Sequence, residues 1–186
     1  MPPSIDKIAE VLPFQTIDPI VGAPKYKKIS EVHLKLNSNA AYVQSNLGNG
    51  TLGLLYLTLS AAVYSTLSST AFVFPVKPGA DPVIPAGSTA PQITDLLYSF
   101  TAAKNIFTEY DLTDKALRQQ LLLSADKKFA RSLQHKHLGY GNTTTREILD
   151  YLYSTYANIS PSDLQDNNAR LRTPYDANHP IENLTD

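Results

Sequence analysis

The chain has 186 residues, long enough for one domain with a sizeable core, and Cys 0 removes disulfides, cysteine-based zinc sites, iron–sulfur clusters and thiol nucleophiles together. Lys+Arg 16 against Asp+Glu 17 leaves a formal charge of −1, so no global field draws the molecule to nucleic acid or an anionic membrane, and any such contact has to be local. Charged residues are 18%, below the roughly 25% of an ordinary soluble domain, and the polar surface leans on Ser, Thr and Asn instead.

Ser4 to Leu12 has a Ser cap and apolar positions Ile5, Ile8, Ala9 and Leu12 on one face, which predicts a short helix ended by Pro13. That helix and the Pro- and Gly-punctuated connector after it form an N-terminal arm, 1–25, ahead of a main region, 26–186. Val32, Leu36, Ala40, Val43 and Leu47 advance by threes and fours, predicting a helix over 27–46 stopped by Gly48-Asn49-Gly50. The glycines from Gly48 to Gly53 suit a tight turn; no Lys-Ser/Thr follows to make them a phosphate loop.

Leu52 to Leu59 is apolar at nearly every position, which fits a buried strand and a buried helix equally. Ser60 caps a short helix to Leu67, and the strand-prone Ala71-Phe72-Val73-Phe74 makes a small ribbon of 54–58 with 71–75 one of the options. Five of the 13 prolines fall in 75–91, which therefore reads as a long loop.

Beyond it the pattern is helical almost throughout. Ser88 or Thr89 caps a helix with Ile93, Leu96, Leu97, Phe100, Ala103 and Phe107 on its stripe and an end or bend at Tyr110-Asp111. Thr113 is placed to cap the next helix, and a short one follows around Phe129, Ala130 and Leu133 before Gly139-Tyr140-Gly141. Thr144-Thr145-Arg146-Glu147 is a capping box that opens a helix with Ile148, Leu149, Leu152 and Tyr156 inward, and Ser160-Pro161-Ser162-Asp163 opens another. A last helix is expected from Asn178-His179-Pro180, cut off at Asp186. The fold class is mainly α, a helical bundle of about six to eight helices.

Catalytic signatures are missing: there is no Gly-x-Ser-x-Gly elbow, no phosphate loop and no His-Glu-x-x-His pair, so the chain reads as a non-enzyme without cofactor or metal. His135 and His137 on a helix would point their rings apart, an awkward fit for one metal ion, whereas on a strand the rings would share a face. Asp6, Glu10, Asp111, Asp114 and Asp126 suit capping and helix-dipole roles. From Lys127 to Arg146 there are five positive residues and no acid, and Lys127, Lys128, Arg131 and Lys136 are the candidate contact for RNA or another polyanion, against the plainer role of cations at a helix end. Tyr151 and Tyr153 are candidate interface residues, Tyr151 exposed and Tyr153 at the edge of the buried stripe. Four Asn-x-Ser/Thr triplets are near chance in so Asn- and Ser/Thr-rich a chain, and with neither signal sequence nor membrane span the expected compartment is cytoplasmic.

Leu138-Gly139-Tyr140-Gly141-Asn142-Thr143-Thr144 with Arg146 to Tyr156, then Ile159 to Leu164, Arg170-Leu171-Arg172 and Pro180 to Leu184, resembles the Gag polyprotein of Copia-type retrotransposons. Ser45 to Gly48, Leu54 to Ser60, Phe74 to Gly79 and Asp114 to Arg118 extend the similarity over most of 26–186. The resemblance implies the N-terminal part of a capsid region, truncated at its C-terminus. Such a helical protein self-associates into a shell around the element's RNA, binding RNA weakly and without sequence preference and having no membrane partner. A cellular helical interaction module, including a domesticated Gag, is the alternative.

Overall fold

The computed structural model describes residues 15–157 and position 165, and what it describes is mainly helical. Four α-helices occur among the described residues: α1 Tyr26–Tyr42, α2 Ala61–Leu67, α3 Ala90–Ser124 and α4 Thr145–Tyr156. Three short 3₁₀ segments, Gly50–Leu52, Leu55–Leu57 and Lys127–Leu133, accompany them. The helices expected at 4–12, from Ser160 and near His179 lie outside the described residues.

α1 buries Ile29, Val32, Leu36 and Ala40 along the predicted stripe but ends at Tyr42, four residues before the expected boundary. The chain itself cuts it short. Val43 is extended, and the Leu54 N–H returns over the helix end to donate to the Ala40 carbonyl at 3.0 Å. This crossing requires Gly53, at φ +54°, because a Cβ there would lie against the carbonyls of Ala41 and Val43, inside contact distance. The glycine-rich stretch is therefore a tight turn, with Asn49 Oδ1 accepting from the Thr51 N–H at 3.1 Å.

The expected ribbon of 54–58 with 71–75 does not form. The Leu54 N–H is taken by the Ala40 carbonyl, and the Leu57 and Thr58 N–H groups donate to the Leu54 and Leu55 carbonyls within the 3₁₀ turn, so these donors are lost to a ladder. Residues 71–75 are extended, and side chains rather than backbone hold them: Phe72 stacks on Tyr56 with ring centroids 4.4 Å apart. Ser60 caps α2 as expected, accepting from the Val63 N–H.

The proline-rich loop is exposed and ends at Thr89, so Ala90 and Pro91 belong to the first turn of α3. Thr89 and Gln92 form the capping box there. The predicted break at Tyr110-Asp111 is absent, and α3 runs on for 35 residues, about 52 Å at 1.5 Å per residue. Neither Pro nor Gly interrupts it after Pro91, and the i,i+4 pairs Asp111–Lys115 and Asp114–Arg118 span the junction. Thr113, expected as a cap, lies inside the helix, fully buried. This merger is one reason the count among the described residues falls below six to eight.

Around one core pack α1, the C-terminal half of α3 and α4, with Leu36, Leu54, Leu117, Leu121, Ile148 and Leu149 at its centre. Two polar clamps lay the segment from Gln15 across it: buried Asn39 donates to the Gln15 carbonyl and the Gln120 side chain, and Ser124 Oγ donates to the Asp18 carbonyl. The Thr144–Glu147 capping box opens α4 where predicted.

Candidate functional site

The basic segment begins at Asp126, whose positive φ turns the chain out of α3 and whose carboxylate accepts from the Lys128 N–H at 3.1 Å. Lys128 is largely used locally: its Nζ sits 2.9 Å from Asp126 Oδ2 and 4.9 Å over the Phe129 ring. Lys127, Arg131 and Lys136 are exposed. The fold adds cations that spacing did not reveal. Lys127 joins Lys115 and Arg118 of α3 around a hollow of about 220 Å³ floored by Leu122 and Tyr140. Lys115 and Arg118 each also face an acid of their own helix, Asp111 and Asp114.

Residues 135–139 form a turn, not a helix, so the predicted divergence of the histidine rings is replaced by a different arrangement. His135 and Gly139 exchange backbone hydrogen bonds, and His135 Nδ1 accepts from the His137 and Leu138 N–H groups. His135 is thus a turn-former, and among the described residues no three His, Cys, Asp or Glu side chains gather where a metal could sit.

The two candidate interface tyrosines have different surroundings. The Tyr153 ring meets Tyr26 and His33 edge-on at 6.0 and 5.7 Å. His33 Nε2 lies 3.0 Å from the Thr58 carbonyl, which only accepts, so Nε2 carries the proton and Nδ1 accepts from the Tyr153 hydroxyl at 3.1 Å. Burial holds this imidazole below its ordinary pKa. Tyr153 thereby joins α4 to α1 inside the molecule. Tyr151, expected to be exposed, is instead half-buried, and its aromatic neighbour among the described residues is Tyr156, at 6.3 Å.

Of the acids read as caps or dipole partners, Asp126 does cap, Asp111 pairs with Lys115, and Asp6 and Glu10 lie outside the described residues. Asp114 differs. Its Oδ1 accepts from the Thr145 N–H at the start of α4, and its backbone carbonyl accepts from Thr145 Oγ, so it binds two helices together. Beside it opens a hollow of about 370 Å³, lined by Tyr56, Phe74, Tyr110, Asp114, Arg146 and Asp150 among others. Sequence reasoning missed this hollow. Its signal was the aromatic density of Tyr56, Tyr64, Phe72 and Phe74, whose rings cluster with Tyr110.

Large apolar side chains remain exposed on several elements: Leu34 and Tyr42 on α1, Leu97, Tyr98 and Ile106 on α3, Val73 just before the long loop, Val76 and Val83 within it, and Leu123 and Leu138 near the basic segment. The first half of α3, residues 90–109, has no buried residue. No helix among the described residues is long and apolar enough to cross a membrane. Comparisons with protein-family models, curated proteins and solved structures find no match to this chain.

Proposed function

We propose that the chain is a structural capsid subunit of Gag type, without catalytic activity, that self-associates in the cytoplasm into a shell enclosing element RNA. The observation that carries this reading is the spread of exposed apolar side chains over α1, the first half of α3 and the long loop. Leu97, Tyr98 and Ile106 stand on a helix half that buries no residue, and a closed shell needs contacts on more than one face of each subunit. An interaction module needs one groove or one patch, so apolar residues on three separate elements favour assembly.

RNA contact in this reading falls to Lys127, Arg131 and Lys136, with Lys128, Lys115 and Arg118 contributing less because Asp126, Asp111 and Asp114 already neutralise them. A few cations on a near-neutral subunit bind phosphate weakly, and many copies in a shell supply the avidity.

Electron microscopy and light scattering of the protein over a range of concentrations test the proposal. Concentration-dependent particles or oligomers are expected, lost in Leu97→Asp/Ile106→Asp while the melting temperature holds. A persistent monomer at high concentration favours the module. RNA retained by particles is expected to fall with salt, and further in Lys127→Glu/Arg131→Glu; unchanged RNA at every salt concentration assigns these cations to helix-end stabilisation.

A further inference from the structure

We propose that the hollow beneath the aromatic cluster is a binding site for the cationic side chain of a lysine or arginine presented by a partner polypeptide. The inference rests on this one site and holds for a monomer, independently of shell assembly.

The hollow, about 370 Å³, is of a size used for small ligands. Three of its walls are aromatic and come from three parts of the chain: Tyr56 from the 3₁₀ turn, Phe74 from the extended segment and Tyr110 from α3. Phe74 stands at right angles to both neighbours, 5.3 Å from Tyr56 and 6.3 Å from Tyr110 by ring centroid. The rings therefore present π faces in more than one direction, the arrangement that attracts a cation. Phe74 is 56% exposed despite these contacts, so core packing alone does not account for its place at the rim.

Asp114 supplies a carboxylate whose demand for partners is only partly met. Its side chain is 12% exposed; Thr145 serves it through its N–H and its hydroxyl, and the Arg118 guanidinium stands at 3.5 Å and also donates to the Thr143 carbonyl. A carboxylate accepts about four hydrogen bonds, so acceptor capacity remains unfilled beside the hollow. Burial, not fully offset by these partners, pushes the Asp114 carboxyl above its ordinary range. Tyr110 is also pushed up, first by burial and then by the charges of Asp114 and Asp111, which marks a negative potential at this wall.

The cation already present decides the sign of the ligand. Arg146 gives Nε and Nη2 to Asp150 and Nη1 to the Thr58 carbonyl, so three of its five N–H donors are engaged and its charge is paired with Asp150. An anion entering the hollow would meet the Asp114 carboxylate, while Arg146, the cation in the lining, is already paired with Asp150. A purely apolar ligand would strand the carboxylate and the hydroxyls of Tyr56, Ser60 and Tyr110. A guanidinium or ammonium on an aliphatic stem suits both the rings and the acid.

The test titrates isotope-labelled protein with Nα-acetyl-arginine amide, Nα-acetyl-lysine amide and their neutral counterparts, Nα-acetyl-citrulline amide and Nα-acetyl-norleucine amide, following amide and aromatic resonances. The cationic probes are expected to give saturable shifts at Tyr56, Tyr110 and Asp150, with affinity about tenfold above the neutral ones, as one cation–π or charge-assisted contact provides. The arginine and lysine arms show which side chain fits better. Asp114→Asn, which keeps the acceptor for Thr145, should erase the preference for charge, and Phe74→Ala should weaken binding several-fold. Should Asp114→Asn fail to fold, the exposed Phe74 variant still decides. Equal binding of charged and neutral probes, absence of saturable shifts, or undiminished binding in Phe74→Ala overturns the proposal.

Discussion

The two halves of α3 belong to one unbroken helix, yet they live in different surroundings. Residues 110–124 bury Thr113, Asp114, Ala116, Leu117, Leu121, Leu122 and Ser124; residues 90–109 bury none. Both halves carry apolar side chains at helical spacing, Ile93, Leu96, Phe100 and Phe107 in the first and Leu117 and Leu121 in the second. Periodicity thus forecasts that a face will be covered, and it says nothing of whether α1 and α4, a loop, or another molecule covers it. In this chain α1 and α4 reach only the second half, and the extended segment beside Phe72 and Phe74 meets α3 near Tyr110.

The sharpest way to break the comparison is to delete the same side chain in each half. Leu117→Ala removes a fully buried leucine from the core centre and is expected to cost about 3–4 kcal/mol, whereas Leu97→Ala, on a side chain 44% exposed, should cost under about 1 kcal/mol. Urea denaturation of both variants checks this. Similar losses would mean that the first half is as tightly packed as the second.

The same contrast holds for backbone. Gly53 at φ +54° lies against two carbonyls of α1, so Gly53→Ala combines a left-handed Cβ with overpacking and should cost about 2–4 kcal/mol. Gly87 has φ +85° in the loop with nothing within 4 Å of an added Cβ, and Gly87→Ala should cost only the conformational part, about 1–2 kcal/mol. Thermal melts of the two alanine variants give the order directly.

Acid should weaken the body through His33. Burial depresses its folded pKa below the ordinary 6.5, so the unfolded chain binds the proton more readily there. The stability His33 contributes is complete above 6.5 and is lost as pH falls below that value toward the folded pKa. Asp114 has the opposite sign: its folded pKa is raised above 3.8 by burial, so protonation favours the fold as pH drops through that raised value. The pH profile of the melting temperature should therefore decline below 6.5, and His33→Gln should flatten that decline. An identical slope in both proteins would remove His33 from the explanation.

What the sequence made legible follows the local physics. Capping needs only neighbours in the chain, so Ser60 and Thr144–Glu147 were readable, as was the buried stripe from Val32 to Ala40. The end of α1 was not, because a residue eleven positions beyond it, Gly53, sets it by returning over the Ala41 and Val43 carbonyls. Nor was the aromatic hollow, since Tyr56, Phe74, Tyr110 and Arg146 come from four separate segments. The basic segment was visible as a run, but Lys115 and Arg118 join it only through the packing of α3 beside Lys127.

Thr113 carries the smallest expected effect and the plainest lesson about where local reasoning stops. A threonine after an apparent helix end is a good cap, since its hydroxyl accepts an orphan N–H in the first turn. Because Tyr110 to Asp114 continues the helix instead, those N–H groups already have carbonyl partners, and the hydroxyl of Thr113 is buried without a hydrogen-bond partner among the described residues. An unsatisfied buried hydroxyl costs free energy that an isosteric methyl does not, so Thr113→Val should raise stability by about 1 kcal/mol. The shape is conserved and both side chains are β-branched, so neither packing volume nor helix propensity offsets the gain. A rise in the urea midpoint with an unchanged slope supports this account. A loss of stability would show that the Thr113 hydroxyl does find a partner, and would restore to this position the polar role that its place in the sequence first suggested.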